Sequence, residues 1–578
     1  MSMKRFKQIL RGAMSPQAVF SLGFLVLALP NVCLAYTEPQ PWHFRLSALL
    51  LPLAAYALLL TLWRKPGRTL WWLFPLVFLS AFQMVLLYLY GHSVIAVDMF
   101  LNLVTTNPSE AGELLNNLLP GLVFVFTVYV PTLVFSAISA VRGARLSAPF
   151  AHRVRLCASV MGVVGLLFSA IALANGFRPS LHLYPVNVFE NIRLAVVRTQ
   201  GAAHYAETSA QFRFNATPTH DASQREVYVL VIGETARAPQ FALYGYPRNT
   251  TPRLSALPSL YAFTHALSES NTTHKSVPML LSPVSAADYD SIYTRKGLLA
   301  AFREAGFHTV FLSNQLPNHS FIDFFGQQAN EWQFVKVGKH GAYDGYDQRL
   351  LPLVDSILAC KRQKQLIVLH TYGSHFEYRK RYPHSEAAFF PDDASDAKPQ
   401  NRAELVNAYD NTILQTDRLL AALIAHVDSI GAASALLYTS DHGENIFDDR
   451  RNLFLHASPV PSYYELHVPL LVWLSPQYAQ QHPLAATALR ANLHRPVATS
   501  VSVFHTLAHL AGLRSPWIKP QLSVASPHYQ PQPWLYLDDH NRAVPLRQML
   551  RSPLDVEKLR QKGFELSLNN KETHKLVN

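Results

Sequence analysis

The chain has 578 residues, of which only 15% are charged, with a net charge of +12 and a mean hydropathy of +0.07. This length exceeds that of one ordinary domain, and the low charged fraction excludes a wholly soluble protein and predicts a membrane part. The three cysteines, Cys33, Cys157 and Cys360, are too few for a disulfide framework or a cysteine metal site.

Five apolar segments precede residue 177, and each approaches the about twenty residues that cross a hydrocarbon core. They lie at roughly 17–36, 43–63, 69–91, 119–141 and 155–175. The first segment follows a basic flank and resembles a cleavable signal peptide, but the four further spans favour an uncleaved anchor. Residues 1–176 are therefore predicted to form a transmembrane domain with five helices.

Basic residues alternate between the two sides of these segments. They occur in the amino-terminal flank and then at Arg64, Lys65, Arg68, Arg142, Arg145, Arg153 and Arg155. The positive-inside rule then predicts a cytoplasmic amino terminus, and an odd number of spans places everything after residue 176 outside. The positive charge is explained by topology, and no nucleic-acid partner is expected.

Three further segments complete the predicted organisation. The outer loop "DMFLNLVTTNPSEAGELLNN" is either an interfacial helix or a solvated loop. Residues 177–224 read as a linker with one amphipathic helix, "VNVFENIRLAVVRTQ". Residues 541–578 form a basic carboxyl-terminal tail, which either lies against anionic lipid or is disordered.

Residues 225–540 have the alternation of an α/β domain. Continuous apolar runs at 227–233, 308–314, 365–373, 433–443 and 467–475 suit strands buried on both faces of a parallel sheet. Segments with helical period lie between them, at 297–306, 404–429 and 499–513. This pattern predicts a doubly wound sheet.

Acidic and imidazole side chains follow three of these strands: Glu234 after the first, His370 and His375 at the third, and Asp441 and His442 at the fourth. Ligands bind beyond the carboxyl ends of the strands in open α/β sheets. Each residue alone has a plainer explanation, a helix cap for either acid or a core position for His370. Together they predict an oxygen and nitrogen metal site.

The stretch "SESNTTHKSVP", residues 268–278, supports three interpretations. It contains an Asn-x-Thr glycosylation acceptor at Asn271, it could cap a helix through Ser276 with Pro278 in the first turn, and it could place a nucleophile at a helix start. Lys275 is read as a solvated side chain.

The runs "GETARAPQFALYGYPRNTTPRL", "NTTHKSVP", "VLHTYGSHFEYRKRYP", "SDHGE" and "FLHASP…HVPLLVWLS" decide between these readings. In order and spacing they resemble the lipid-dependent phosphoethanolamine transferases of the bacterial inner membrane, over nearly the whole chain. The resemblance implies a five-helix transmembrane domain followed by a periplasmic α/β domain of the alkaline-phosphatase (sulfatase-type) fold.

Carried over position by position, the resemblance implies that Glu234, Asp441, His442 and Thr273 bind Zn²⁺, with Thr273 as nucleophile. It implies proton transfer by His375 and by His456, although His456 lies two residues further along than the family spacing. Asn271 stands where relatives have a threonine. The low cysteine content places the chain nearer the core-modifying members of the family.

The implied reaction moves phosphoethanolamine from phosphatidylethanolamine to a lipopolysaccharide, either lipid A or a core sugar, through a phosphoethanolamine-threonine intermediate. The chain is expected to be a monomer. The main alternative is a glycerol-phosphate transferase acting on an envelope glycan, which shares the spans, metal and threonine. A sulfatase would need an arginine that "KSVPML" lacks, and a receptor with structural zinc would have four closed protein ligands.

Overall fold

The computed structural model describes residues 15–91, 93–105, 119–337, 345–394 and 396–566. These residues form two compact units that divide between Arg198 and Thr199. The division falls inside the predicted linker at 177–224. The basic amino-terminal flank, most of the outer loop and the end of the predicted tail lie outside the described residues.

The first unit is a bundle of apolar helices. Four of them are long and apolar enough to cross a membrane, Pro16–Thr37, Trp42–Thr61, Leu119–Val141 and Ala148–Ala174. The remaining predicted span is broken into Pro66–Trp72 and Phe74–Tyr90, which meet at 71°. Pro75 lies in the first turn of the second piece, where its ring and missing N–H prevent the first piece from continuing. Five spans result if this bent pair crosses once.

Small and polar side chains let these helices approach closely. A Cβ on Gly67 would lie 2.5 Å from the Ser136 carbonyl oxygen, so only glycine fits there. Ser47 and Ser169 join two spans through a 2.6 Å hydrogen bond between their hydroxyls. The unit also contains the helices Val97–Thr105, Pro179–His182 and most of Val186–Ala203. The last of these matches the predicted amphipathic helix.

A seven-stranded sheet organises the second unit. Its strands are β1 (Glu226–Gly233), β2 (Leu260–Ala262), β3 (His308–Ser313), β4 (Glu331–Phe334), β5 (Lys364–His370), β6 (Ala433–Ser440) and β7 (Leu470–Leu474). They lie in the order β2-β7-β6-β1-β5-β3-β4. Strands β6, β1, β5, β3 and β4 are mutually parallel, and β7 runs antiparallel to both of its neighbours.

All five predicted strands are present, but the parallel direction predicted for the last is wrong. The connection from β6 to β7 contains one helix of four residues, Tyr463–Leu466, and no long crossover helix. Without such a crossover the chain returns antiparallel. The apolar run of β7 is nevertheless buried throughout, because burial on both faces requires the same residues in either direction.

Helices cover both faces of the sheet. Their bounds are Tyr205–Thr208, Pro252–Ser255, Thr273–Leu280, Leu298–Glu304, Phe321–Gly326, Leu350–Ala359, Arg402–Ser429, Tyr463–Leu466, Pro476–Gln481, Pro483–Asn492, Thr499–Leu510, Leu546–Met549 and Pro553–Gln561. Short strand pairs join Thr217–Pro218 to Leu513–Arg514, Ala266–Leu267 to Val497–Ala498, Asn445–Ile446 to Phe454–Leu455, and Leu535–Leu537 to Ala543–Pro545.

The segment 541–566 is part of the second unit, which corrects its assignment to a separate tail. Leu546, Leu559 and Phe564 are buried in one apolar cluster. Buried Asp555 accepts hydrogen bonds from Arg451 and from the Tyr463 backbone N–H. Four buried apolar side chains of this basic segment, the three above and Leu550, pack it against the domain.

A buried arginine links the end of β1 to the loop after β6. The Arg237 side chain is fully buried, and its Nη1 lies 2.7 Å from Asp448 Oδ2. Its guanidinium also lies over the rings of Tyr409 and Tyr464. Burial alone would raise the pKa of Asp448, but the Arg237 charge, the hydrogen bonds from Arg237 and the Ile446 N–H, and the Arg402 charge together outweigh it and lower that pKa. The pair therefore stabilises the fold at neutral pH, and this contribution is lost as the pH falls below about 4.

Asp448→Asn is expected to lower the free energy of unfolding by about 3–5 kcal/mol, because it leaves the Arg237 charge buried without a counter-charge. Thermal unfolding of the purified protein followed by circular dichroism measures this. Glu557→Gln, which removes an exposed partner of Arg560, is the matched control and should change stability by less than about 1 kcal/mol. Equal effects of the two substitutions would contradict the argument.

Candidate active site

The register of two parallel strands brings the predicted acids together. In the β1–β6 pair, Gly233 lies opposite Ser440, and the Asp441 backbone N–H donates to the Gly233 carbonyl at 3.0 Å. Glu234 and Asp441 are therefore the first residues beyond two adjacent strand ends. Both side chains are buried, with exposures of 1% and 0%.

Glu234, Asp441 and His442 form a group whose candidate ligand atoms all lie within 4.8 Å of one another. His442 Nε2 lies 3.2 Å from Asp441 Oδ2 and 3.6 Å from Glu234 Oε1. The other ring nitrogen, Nδ1, donates to the Gly443 carbonyl at 2.9 Å. This bond holds the ring so that Nε2 faces the two carboxylates, which is the second-shell arrangement common to metal-binding histidines.

The electrostatics of this group favour a cation. Two carboxylates are buried side by side, and within the described part of the chain neither has a lysine or arginine ion-pair partner. Burial would lower the pKa of His442, but the charges of Asp441 and Glu234 outweigh it and raise that pKa. Two carboxylates and one imidazole suit a divalent metal such as zinc.

Thr273 lies at this group. Its Oγ1 is 3.2 Å from Glu234 Oε1 and 3.1 Å from His442 Nε2. The helix Thr273–Leu280 begins with this residue, so its backbone N–H is one of those that the helix leaves unpaired. Thr272, the alternative hydroxyl, contacts Ser270 Oγ at 3.1 Å instead.

The predicted helix cap is wrong. Ser276 and Pro278 lie inside the helix rather than at its start, and the cap position is held by Thr272 without a side-chain hydrogen bond. The Ser276 hydroxyl donates to the Thr272 carbonyl at 3.0 Å. Pro278 is tolerated because it removes a single bond, the one to the carbonyl of His274.

Lys275 is buried rather than solvated, which corrects a second expectation. Its exposure is 2%, and its Nζ donates to the Asp538 carbonyl at 3.0 Å. Its ammonium therefore ties the helix to the segment near 538. A helical residue two positions from Thr273 points away from it, which the sequence alone did not reveal.

Asn271 serves the fold and is not a glycosylation acceptor. Its side chain is 2% exposed, and its Nδ2 donates at 2.8 Å to both the Ser458 carbonyl and Glu465 Oε1. Its Oδ1 accepts from the Tyr536 hydroxyl at 2.7 Å. These bonds fix the strand-to-helix turn that carries Thr273.

His375 and His456 lie beside the group. The ring centroid of His456 is 4.2 Å from that of His442 and 6.0 Å from that of His375. Burial lowers the pKa of each of the two histidines to about 3, so both rings are neutral at pH 7. His375 Nδ1 donates to the Phe376 carbonyl at 2.6 Å, which leaves its Nε2 able to accept a proton.

Sequence reasoning missed two side chains at the site. Gln315 Nε2 contacts Glu234 Oε2 at 3.1 Å, His370 Nε2 at 3.1 Å and the Thr371 carbonyl at 2.9 Å. Gln315 follows the end of β3, so the rule that pointed to Glu234 could have found it. His370 itself is buried and binds no member of the candidate metal group.

Glu444 is the second omission, although it ends the run "SDHGE". It is fully buried, lies 2.9 Å from His456 Nδ1, and accepts from the Tyr378 hydroxyl at 2.5 Å. Burial raises the pKa of Glu444 to about 8, so one proton is held between it and the His456 ring at neutral pH. Glu444 thereby orients His456.

The sulfatase family model matches residues 226–513, which include every candidate site residue. These residues form a sulfatase-family domain. The sulfatase-type fold expected from the sequence is confirmed.

Phosphoethanolamine transferase EptC of Escherichia coli (strain K12) is 28% identical to this chain over 314 residues, 52% of this chain and 53% of that protein. The match to this relative thus spans about half of its length. It confirms the resemblance to phosphoethanolamine transferases that the motifs carry.

Two solved structures share the fold. The membrane protein lipooligosaccharide phosphoethanolamine transferase A of Neisseria meningitidis aligns with a TM-score of 0.64 at 21% identity, over 88% of this chain and 98% of that one. The periplasmic domain of Escherichia coli EptC, solved in complex with Zn, aligns with a TM-score of 0.53 at 24% identity, over 59% of this chain and 98% of that one. The helical unit followed by a sulfatase-family domain is therefore a known architecture.

Asn271→Ala is expected to lower the free energy of unfolding by about 1–3 kcal/mol, because it removes one hydrogen bond from each of the buried partners Glu465 and Tyr536. Thermal unfolding measures the loss. Asn249→Ala, at an exposed position, is the control. Equal stability of Asn271→Ala and the unsubstituted protein would show that the three bonds do not hold the turn.

Proposed function

We propose that this protein transfers phosphoethanolamine from phosphatidylethanolamine to lipopolysaccharide, with lipid A or a core sugar as acceptor. The observation that carries the proposal is the position of the Thr273 hydroxyl, 3.2 Å from Glu234 and 3.1 Å from His442, at the edge of a buried acidic group. The names of the relatives supply the headgroup, and one of these relatives is an integral membrane protein.

Zinc fits the residues of this site. The donor set is that of a catalytic zinc site. It consists of two buried carboxylates that lack a lysine or arginine partner, an imidazole whose tautomer is fixed, and an adjacent hydroxyl. Glu234, Asp441, His442 and Thr273 would hold the ion, which would lower the pKa of the threonine hydroxyl and polarise the phosphoryl oxygen.

Thr273 acts as the nucleophile. Its Oγ forms a bond to the phosphorus of phosphatidylethanolamine while the bond from phosphorus to the glycerol oxygen breaks. The products are diacylglycerol and a phosphoethanolamine ester of Thr273. The free N–H groups at the helix start favour the phosphate that Thr273 then carries.

His375 and His456 move the protons. Both rings are neutral at pH 7, so one can accept the Thr273 proton and, as the imidazolium, pass it to the leaving glycerol oxygen, directly or through the other ring. In the second half-reaction an acceptor hydroxyl or phosphate oxygen attacks the ester, its proton passes to a histidine, and that histidine returns the proton to the Thr273 oxygen as it leaves. Glu444 keeps the His456 ring in the orientation that this exchange requires.

The membrane part provides access to the donor. A diacyl lipid leaves a bilayer only at a large hydrophobic cost, about 0.8 kcal/mol per CH₂ group, so the enzyme must work beside the membrane. We place the protein in the bacterial inner membrane with its amino terminus in the cytoplasm and the sulfatase-family domain in the periplasm, acting as a monomer. The alternation of Arg and Lys between the loops supports this orientation.

Incubation of the purified protein with phosphatidylethanolamine carrying an isotopically labelled headgroup is expected to label Thr273, detected by peptide mass spectrometry. Thr273→Ala should abolish labelling and transfer while keeping the thermal midpoint, because Oγ1 makes contacts only within the site. Thr272→Ala is the matched control and should retain both. Transfer by an enzyme that never carries the label would contradict the covalent step.

Expression in a bacterium that lacks its own phosphoethanolamine transferases is expected to add phosphoethanolamine to the lipopolysaccharide, measured by mass spectrometry of the separated lipid A and core. The Thr273→Ala protein should leave both fractions unmodified. A glycerol-phosphate increment on an envelope glycan would instead establish the alternative headgroup. An unchanged lipopolysaccharide would overturn the proposed acceptor.

A further inference from the structure

A basic cleft opens at one end of the helical unit, away from the residues used above. It has a volume of about 360 Å³ and is lined by Trp63, Lys65, Arg68, Thr69, Trp72 and Arg145. Five of these residues lie between the end of the helix Trp42–Thr61 and the end of the helix Pro66–Trp72, and Arg145 lies in the loop after Leu119–Val141. The three cations face one opening.

No acidic side chain of the surrounding sequence balances this charge. The chain has no Asp or Glu between Glu38 and Asp98, or between Glu113 and Glu190. In the part of the chain that the structure describes, Lys65, Arg68 and Arg145 form no ion pair. Within the described residues, no acidic side chain supplies a counter-ion for the cleft.

Two neighbouring arginines have structural roles, because each donates short hydrogen bonds to backbone carbonyls. Arg64 donates through Nε and Nη2 to the Leu146 carbonyl at 2.9 and 2.8 Å, and Arg155 donates through Nη2 to the Thr61 carbonyl at 2.5 Å. By contrast, Arg68 makes one long contact of 3.4 Å to the Ala140 carbonyl. The side chains of Lys65 and Arg145 have no hydrogen-bond partner within the described residues.

The three charges act on one another. The pKa of Lys65 is lowered, first by the Arg145 charge and then by the Arg68 charge. Mutual repulsion of this kind creates a local positive potential that an anion relieves. The lack of Asp and Glu in the surrounding sequence and the grouping of three cations around one opening also indicate that an anion binds there.

The surroundings identify the anion as part of a lipid. Trp63 and Trp72 border the cleft with exposures of 62% and 79%. Exposed tryptophans at the ends of membrane spans are typical of the headgroup level of a bilayer. The 71° bend between Pro66–Trp72 and Phe74–Tyr90 lies beside them. A basic pocket between spans at this level is a site for phospholipid headgroups.

We propose that this cleft binds the headgroup phosphate of an anionic phospholipid. Lys65, Arg68 and Arg145 contact the phosphate oxygens, and the two tryptophans contact the glycerol and upper acyl region. Cardiolipin, which carries two phosphates and no ammonium group, matches three cations best. Phosphatidylethanolamine brings its own ammonium group and binds less well, so the site is distinct from that of the proposed donor.

Native mass spectrometry of the full-length protein in detergent, titrated with cardiolipin or phosphatidylethanolamine, tests the proposal. Cardiolipin is expected to bind at a defined stoichiometry and at least about tenfold more tightly than phosphatidylethanolamine. The triple variant Lys65→Gln, Arg68→Gln, Arg145→Gln should lose this preference. The control Arg142→Gln, Arg153→Gln removes two charges that do not line the cleft, one just after the helix Leu119–Val141 and one in the helix Ala148–Ala174, and should retain it.

Equal loss of cardiolipin in the control variant would overturn the proposal, because binding would then follow total charge. So would displacement of cardiolipin by inorganic phosphate or pyrophosphate at equal concentration, which would make the ligand a soluble anion. If the triple variant does not fold, Arg145→Gln alone serves, since that exposed side chain holds no hydrogen bond. Unchanged cardiolipin affinity in that variant would equally reject the site.

Discussion

The structure depends on one constraint: the parallel register of β1 and β6 forces two carboxylates, Glu234 and Asp441, into the same buried space. Carboxylates buried together repel, and neither has a lysine or arginine partner within the described residues. Such a pair is stable only with a cation or with shared protons. The features around it, from the His442 tautomer to the Gln315 amide, are arranged to hold a charged group that the chain does not supply.

The sequence was informative about the fold wherever burial dictates composition. The apolar runs of β1, β3, β5 and β6 predicted those strands to within a few residues, because a strand buried on both faces must be apolar throughout. The direction of a strand cannot be predicted in this way, because the apolar sequence of β7 would be the same in a parallel and in an antiparallel strand. The short strands β2 and β4 have no distinctive composition, and the fold of 541–566 depends on distant partners that periodicity cannot reveal.

At the site, the residues that chemistry requires were predictable and the residues that position them were not. Glu234, Asp441 and His442 were found because strand ends are recognisable places, whereas Thr273 was singled out only by the family resemblance, and the structure brings all four together. The roles of Asn271 and Lys275 depend on partners more than 180 residues away in the chain, Ser458 and Asp538 among them. Ser276 was misassigned because a serine before a proline fits a cap and a second turn equally well.

The two units present opposite electrostatic problems. The sulfatase-family domain buries two carboxylates side by side, away from solvent, where the interaction of a carboxylate with an ion is strongest. The helical unit instead displays three cations, Lys65 half-buried and Arg68 and Arg145 exposed, with no acid in the surrounding sequence, and screening makes each interaction there weak. A lipid headgroup suits the second case because a bilayer supplies it at high local concentration, so modest affinity for each charge is sufficient for occupancy. Selectivity at the first site comes from ligand chemistry, and at the second from the match of charge to the membrane.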